Sequence, residues 1–262
     1  MDINLQGKRT FVCGSTQGIG KAAALELASL GAEVILIARN EEMLQTVLSE
    51  LPTPASQNHQ YLVADFTQPE LLKEVISDFL VKTNPVHILI NNTGGPPGGP
   101  ITEATSEQFL RALHMHLLCN QVLVQAVLPG MKEAAYGRII QVISTSVKEP
   151  IPGLGVSNTT RGAVNSWAMT LAREVAPFGI TVNNILPGFT KTDRLFSLIK
   201  VRAEKANISE EQMTQLWQDS VPAGRFGDPE ETAAAIAFLA SPSAAYINGV
   251  NLPVDGGRLN SF

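Results

Sequence analysis

The chain has 262 residues, 44% of them hydrophobic and 16% charged, with a formal net charge of −5. That composition describes a globular chain long enough to bury a large core, and it excludes a disordered one. With no run of Lys or Arg, it also argues against a nucleic-acid surface or an anionic-membrane surface.

The first ten residues, MDINLQGKRT, carry neither the basic nor the apolar region of a signal peptide. No apolar run approaches the ~20 residues that span a bilayer. The two cysteines, Cys13 and Cys119, lie in separate apolar stretches without paired spacing, so neither a disulfide framework nor a zinc site is expected. A cytoplasmic location is the expectation.

Short apolar runs at 10–13, 34–38, 61–64, 88–91, 139–144, 181–186 and 250–254 predict strands. The first six are continuously apolar, as in parallel strands covered by helices on both faces. Helical patterns fall between them, at 19–30, 41–51, 69–81, 106–131, 159–176 and 229–240. The last opens on Asp228-Pro229-Glu230, an N-cap followed by proline at the first helical position. The alternation predicts an α/β fold: one Rossmann-type, doubly wound parallel sheet of about seven strands, forming a single domain over 1–262. The GGPPGGP cluster at 94–100 is a loop. The charged segment 190–219 breaks the rhythm and reads as an insertion over the sheet's carboxyl edge, where a substrate lid sits.

Gly14-Ser15-Thr16-Gln17-Gly18-Ile19-Gly20 follows the first strand and opens the first helix. Such a turn brings phosphates against the backbone, and the helix N-terminus offers them free N–H groups. The second strand ends at Ala38-Arg39. An NAD site of this type wants a carboxylate there, and Arg39 instead suits a 2′-phosphate, so NADP(H) is expected over NAD(H). Ser15 adds a candidate hydroxyl contact to that phosphate.

The Gly-x-x-x-Gly-x-Gly spacing resembles the short-chain dehydrogenase/reductase family, with Cys13 where the family usually has Thr. The resemblance runs on through Asp65, the family's adenine-contacting acid, and Asn91-Asn92-Thr93-Gly94, which is similar to its Asn-Asn-Ala-Gly motif. Pro187-Gly188 with Thr192, near the nicotinamide carboxamide in the family, and the closing Val254-Asp255-Gly256-Gly257 complete it. In this order across about 250 residues the motifs are highly specific. β-Ketoacyl-ACP reductases are the nearest-looking members. The resemblance implies a small-molecule carbonyl or acyl substrate. It also implies a homo-oligomer, a tetramer or dimer, built on 106–131, 159–176 and the last strand.

The family's catalytic set is Asn, Ser, Tyr and Lys. Ser144 matches the serine, thirteen residues before position 157, and is expected to hold a substrate carbonyl. Counting back from Leu128-Pro129-Gly130-Met131 places His116 at the Asn position, as a backbone contact or an acid/base near neutral pH. At 157–161 the chain reads Ser157-Asn158-Thr159-Thr160-Arg161 in place of Tyr-x-x-x-Lys. Ser157 cannot act as a phenol does, because an aliphatic hydroxyl is far less acidic and its side chain shorter. Arg161 keeps a cation for the nicotinamide ribose but cannot lose its proton. None of the three tyrosines, Tyr61, Tyr136 and Tyr246, has Lys four residues on. His116, Lys148 or water remain as proton sources.

The expected function is an NADP(H)-dependent oxidoreductase with an altered proton relay. One alternative is a non-catalytic cofactor-binding sensor or assembly protein. Another is a non-redox lyase or isomerase using His116 or Lys148 as base.

Overall fold

The computed structural model describes residues 1–260. A seven-stranded parallel sheet runs in the order β3-β2-β1-β4-β5-β6-β7. Its strands are β1 (Arg9–Cys13), β2 (Glu33–Ala38), β3 (Gln60–Val63), β4 (Ile88–Asn91), β5 (Gly137–Val142), β6 (Ile180–Pro187) and β7 (Asn251–Val254). Strands β1, β2 and β4 are buried on both faces, whereas β3, at the sheet's edge, is only partly buried and leaves Val63 exposed. Val12, Leu36 and Ile90 face one core, and Phe11, Ile35 and Leu89 face the other. This is the single doubly wound sheet that the alternation predicts.

Helix α1 (Gly18–Ser29) and α2 (Glu41–Glu50) flank one side of the sheet, with Asn40 capping α2 through the Met43 N–H at 3.0 Å. Helix α3 (Pro69–Val81) lies on the other. The single helix expected over 106–131 is interrupted. It comprises α4 (Ser106–Leu113), one π-helical turn (His114–Leu118) and α5 (Cys119–Glu133). A π-turn inserts one extra residue into the helix and re-aims the side chains within it; His116 is one of them.

Helix α6 (Gly155–Val175) starts four residues before the predicted 159, so Ser157 and Arg161 both lie inside it, one turn apart on the same face. Strand β5 ends at Val142, and Ser144 therefore sits beyond the strand and caps a short 3-10 turn, Thr145–Val147.

The charged insertion folds as two helices, α7 (Asp193–Ala206) and α8 (Glu210–Asp219). Thr192 caps α7, and a Ser209/Gln212 capping box opens α8. The two pack on each other through Leu195, Ile199, Met213 and Phe226. A bridge between Thr190 and Gly227 closes the insertion at its base. The chain then enters α9 (Pro229–Ala240), where Glu231 accepts the Asp228 N–H at 2.8 Å. Among the described residues no helix is long and apolar enough to cross a membrane, and no cluster of His, Cys, Asp or Glu suits a metal.

Candidate active site

The order of strand connection reverses between β1 and β4, and open α/β sheets bind ligands beyond the carboxyl ends of the strands at that point. Here the Gly-rich turn leaves β1 and Asn92 leaves β4. Asn92 donates from Nδ2 to the carbonyls of Cys13 and Gly14, each at 3.3 Å, and so ties the two loops across the reversal. The closeness demands glycine. At Gly14, with φ +58°, an added Cβ would lie 2.6 Å from the Asn92 carbonyl oxygen.

A cavity of about 660 Å³ opens there, lined by the Gly-rich turn, Ser144, Ser157, Arg161, the Pro187-Gly188 turn and the inner face of α7. Its features fit a dinucleotide. Gln17 sits at the N-cap of α1 without a side-chain capping bond, and no acidic residue occupies the first turn. The first N–H groups of that helix thus keep their affinity for a phosphate. Thr192, at the start of the insertion, packs over this turn and would meet a Cβ on Gly18 at 2.9 Å.

Of the residues expected to hold the cofactor, Gly14, Gln17, Gly18, Ile19, Gly94, Arg161, Pro187, Gly188 and Thr192 line this one cavity. Gly20 lies beneath it, against the Gly14 carbonyl. Arg39 is exposed just beyond β2, within electrostatic reach of Asp65 beyond β3. Burial pushes the Asp65 carboxyl up. The Thr67 N–H at 2.9 Å, with Arg39 and Arg111 nearby, more than offsets this and holds it below the usual range.

Ser15 and Asn91, also expected at the cofactor, do not line the cavity. Ser15 is fully buried, and its hydroxyl has no hydrogen-bond partner within the chain. Asn91 is buried in β4 with both amide atoms unpartnered. Its neighbours Asn92 and Thr93 line the cavity instead, because Asn91 still belongs to the strand while they leave it.

Ser144 Oγ accepts the Ser146 N–H at 3.0 Å. A hydroxyl has two acceptor sites and one donor, so its O–H stays available to the cavity. Arg161 is 8% exposed, and its guanidinium donates to the Val142 carbonyl at 3.0 Å and the Thr93 carbonyl at 3.5 Å. Burial, followed by the proximity of Arg194, pulls its pKa down to about 10, so it remains cationic at neutral pH.

His116 and Lys148 do not line the cavity. His116 is 2% exposed behind Thr93, whose Oγ1 lies 2.6 Å from His116 Nδ1. Burial, then the Arg161 charge, drives its pKa well below the ordinary histidine value, so the ring is neutral. Its Nε2 is buried without a partner. Lys148 is exposed past the 3-10 turn. Neither base named for the lyase reading thus lies on the cavity wall.

Sequence reasoning missed the cations on the insertion and near the C-terminus: Arg194, Arg202, Lys205 and Arg258 all line the cavity. The spacing of the first three over α7, at intervals of eight and three residues, was a legible signal of a single helix face.

Comparison with known proteins agrees with this geometry. A family model described as Enoyl-(Acyl carrier protein) reductase matches residues 14–258. The 3-oxoacyl-[acyl-carrier-protein] reductase of Vibrio cholerae serotype O1 is 37% identical over 257 residues, covering 97% of this chain and 98% of that protein. The L-sorbose reductase of Gluconobacter frateurii, solved with NADPH and L-sorbose, superposes with a TM-score of 0.93 at 30% identity, covering 100% of each chain. A 3-oxoacyl (acyl-carrier-protein) reductase of Agrobacterium tumefaciens C58, solved with NADP bound, has a TM-score of 0.86 at 25% identity over 97% of this chain and 95% of that one.

Proposed function

Because the chain belongs to the short-chain dehydrogenase/reductase family, we propose that it is an NADP(H)-dependent oxidoreductase acting on a carbonyl/alcohol pair, in which water replaces the tyrosine as proton donor. The observation that carries this reading is the convergence of the Gly-rich turn, Arg161 and Ser144 on one cavity. Bound there, the nicotinamide supplies a hydride to the carbonyl carbon and is oxidised.

The chain's own residues do the rest. Ser144, its rotamer fixed by the Ser146 N–H, donates its O–H to the carbonyl oxygen. Arg161 uses two named hydrogen bonds for backbone carbonyls, which leaves guanidinium donors for a ribose hydroxyl. Its buried positive charge also favours negative charge developing on the substrate oxygen. Ser157, on the same helix face one turn before Arg161, leaves open the space that a larger side chain would fill and holds a water there. That water delivers the proton, at a cost of about 10²- to 10⁴-fold against a tuned general acid.

Arg39 supports the choice of NADP(H): it stands at the end of β2, exposed, where a 2′-phosphate would meet it. The L-sorbose and 3-oxoacyl (acyl-carrier-protein) reductase structures hold NADPH and NADP respectively. A homo-oligomeric, cytoplasmic enzyme completes the reading.

Measuring NADPH oxidation with β-keto esters, quinones, simple ketones and keto acids tests it. Carbonyl-dependent oxidation is expected. Saturable NADPH binding with no oxidation on any of these would favour a non-catalytic cofactor-binding protein.

A further inference from the structure

Five cationic side chains line the cavity: Arg161, Arg194, Arg202, Lys205 and Arg258. Among the described residues no Asp or Glu lines it. The whole chain carries a net charge of −5, so this is a local inversion of sign. Among the described ion pairs, Arg9–Glu33, Lys21–Glu50, Lys191–Asp228 and Arg225–Glu231, none includes a cavity cation.

The four arginines divide by position. Arg161 and Arg194 stand beside the loop that leaves β4. Arg161 donates to the Thr93 carbonyl, and Arg194 donates to the Pro96 carbonyl at 2.5 Å. They adjoin the expected cofactor path and are left to the cofactor. Arg202 and Arg258 are elsewhere. Arg202, on α7, donates to the Pro152 carbonyl beside Gly153. Arg258 stacks on the Phe189 ring, 4.3 Å from its centroid, and its Nη1 is 3.5 Å from Thr145 Oγ1, one residue from Ser144. Phe189 stacks in turn on Trp217 of α8 at 4.7 Å.

Arg258 thus lies on an aromatic platform and reaches Thr145, the chain neighbour of the residue whose hydroxyl is assigned to the carbonyl. Asp255 and Glu149 lie within its electrostatic reach. Their carboxylates accept backbone N–H groups: Asp255 from Gly257 and Leu259, and Glu149 from Asn260. A planar guanidinium fixed by stacking is well matched to a carboxylate, which it binds with two parallel hydrogen bonds.

We propose that the substrate is itself an anion, a keto acid or its hydroxy-acid partner, with its carboxylate held by Arg258 and Arg202 while Ser144 holds the keto oxygen. This deepens the oxidoreductase reading and rests on it. It predicts a short separation between carboxylate and carbonyl, since Arg258 donates to Thr145 at 3.5 Å and Ser144 is its chain neighbour.

The test is calorimetric titration of the NADPH-saturated protein with acetoacetate and 2-oxobutanoate, each against its methyl ester. NADPH oxidation is followed on the same samples. At least one acid should bind about tenfold or more tightly than its ester, the worth of a charge-assisted contact. Arg258→Gln should abolish that preference and Arg202→Gln should reduce it, while Arg258→Lys keeps part of it. NADPH affinity of each variant, measured separately, reports whether the fold is intact. Equal binding of acid and ester, or an acid preference that survives both glutamine variants, overturns the anion site, whether or not turnover occurs. Acid-selective binding without oxidation of NADPH leaves the anion site standing and counts against the oxidoreductase reading alone.

Discussion

Thr93 Oγ1 and His116 Nδ1 lie 2.6 Å apart, and both differ from the Ala and Asn that the sequence resemblance leads one to expect at these positions. The third departure, Arg161, donates to the Thr93 backbone carbonyl and lowers the pKa of His116 by its charge. The substitutions thus form one connected polar unit behind the cavity wall.

This coupling is measurable. Thr93→Ala leaves the His116 Nδ1 buried without its partner and should destabilise the protein by about 1–3 kcal/mol. His116→Asn should cost a similar amount. The double variant, which restores the family pair, should cost less than the sum, with a coupling of about 0.5–3 kcal/mol. A urea-unfolding double-mutant cycle checks this, and strict additivity would contradict it.

The buried neutral His116 also sets a pH dependence. Its pKa is lowered in the folded state, so below about pH 6.5 the unfolded chain binds a proton that the folded chain does not. Stability is fully present above that value and falls as the pH drops, by at most about 1.4 kcal/mol per pH unit from this group. His87, lowered by burial and then by Lys8 and Arg9, adds in the same direction. Unfolding titrations near pH 7.5 and about 5.5 should show a smaller loss in His116→Asn than in the parent; an identical loss would mean that His116 is protonated in the folded state.

The proposed preference for NADP(H) assigns the 2′-phosphate to Arg39. Arg39→Asp replaces a cation beside the expected 2′-phosphate with an anion, which should weaken NADPH binding by about tenfold or more and narrow or reverse the preference over NADH. Competitive titrations with both dinucleotides read this out. Unchanged NADPH affinity would place the 2′-phosphate elsewhere.

Position 157 tests the water-proton assignment. Ser157→Tyr combined with Arg161→Lys supplies the phenol and the ammonium to the same helix face. It should raise carbonyl reduction by up to about 10²- to 10⁴-fold, with the gain in kcat. No gain would mean that the cavity has been reshaped beyond these two side chains.

The architecture was legible because each strand is a short apolar run and each connection carries a helical period. Val12, Leu36 and Ile90 declare two-sided burial by having no polar neighbours in alternation. The glycine-rich turn was legible because only glycine tolerates the approach of Asn92 at Gly14. The register of His116 was not. A π-turn has no compositional mark, and it carries the ring behind Thr93 instead of into the cavity. Nor was the role of Arg258, which depends on Phe189 arriving from a segment far away in sequence to form its platform. The burial of Ser15 was hidden for the same reason: it follows from how the turn folds back, not from the residue type.

The central claim is that this cavity binds NADP(H), and titration of NADPH fluorescence with the unmodified protein tests it most directly. Saturable binding, tighter for NADPH than for NADH and lost when Gly20→Ala forces a Cβ against the Gly14 carbonyl, is the predicted result. No saturable change with either dinucleotide would contradict the account.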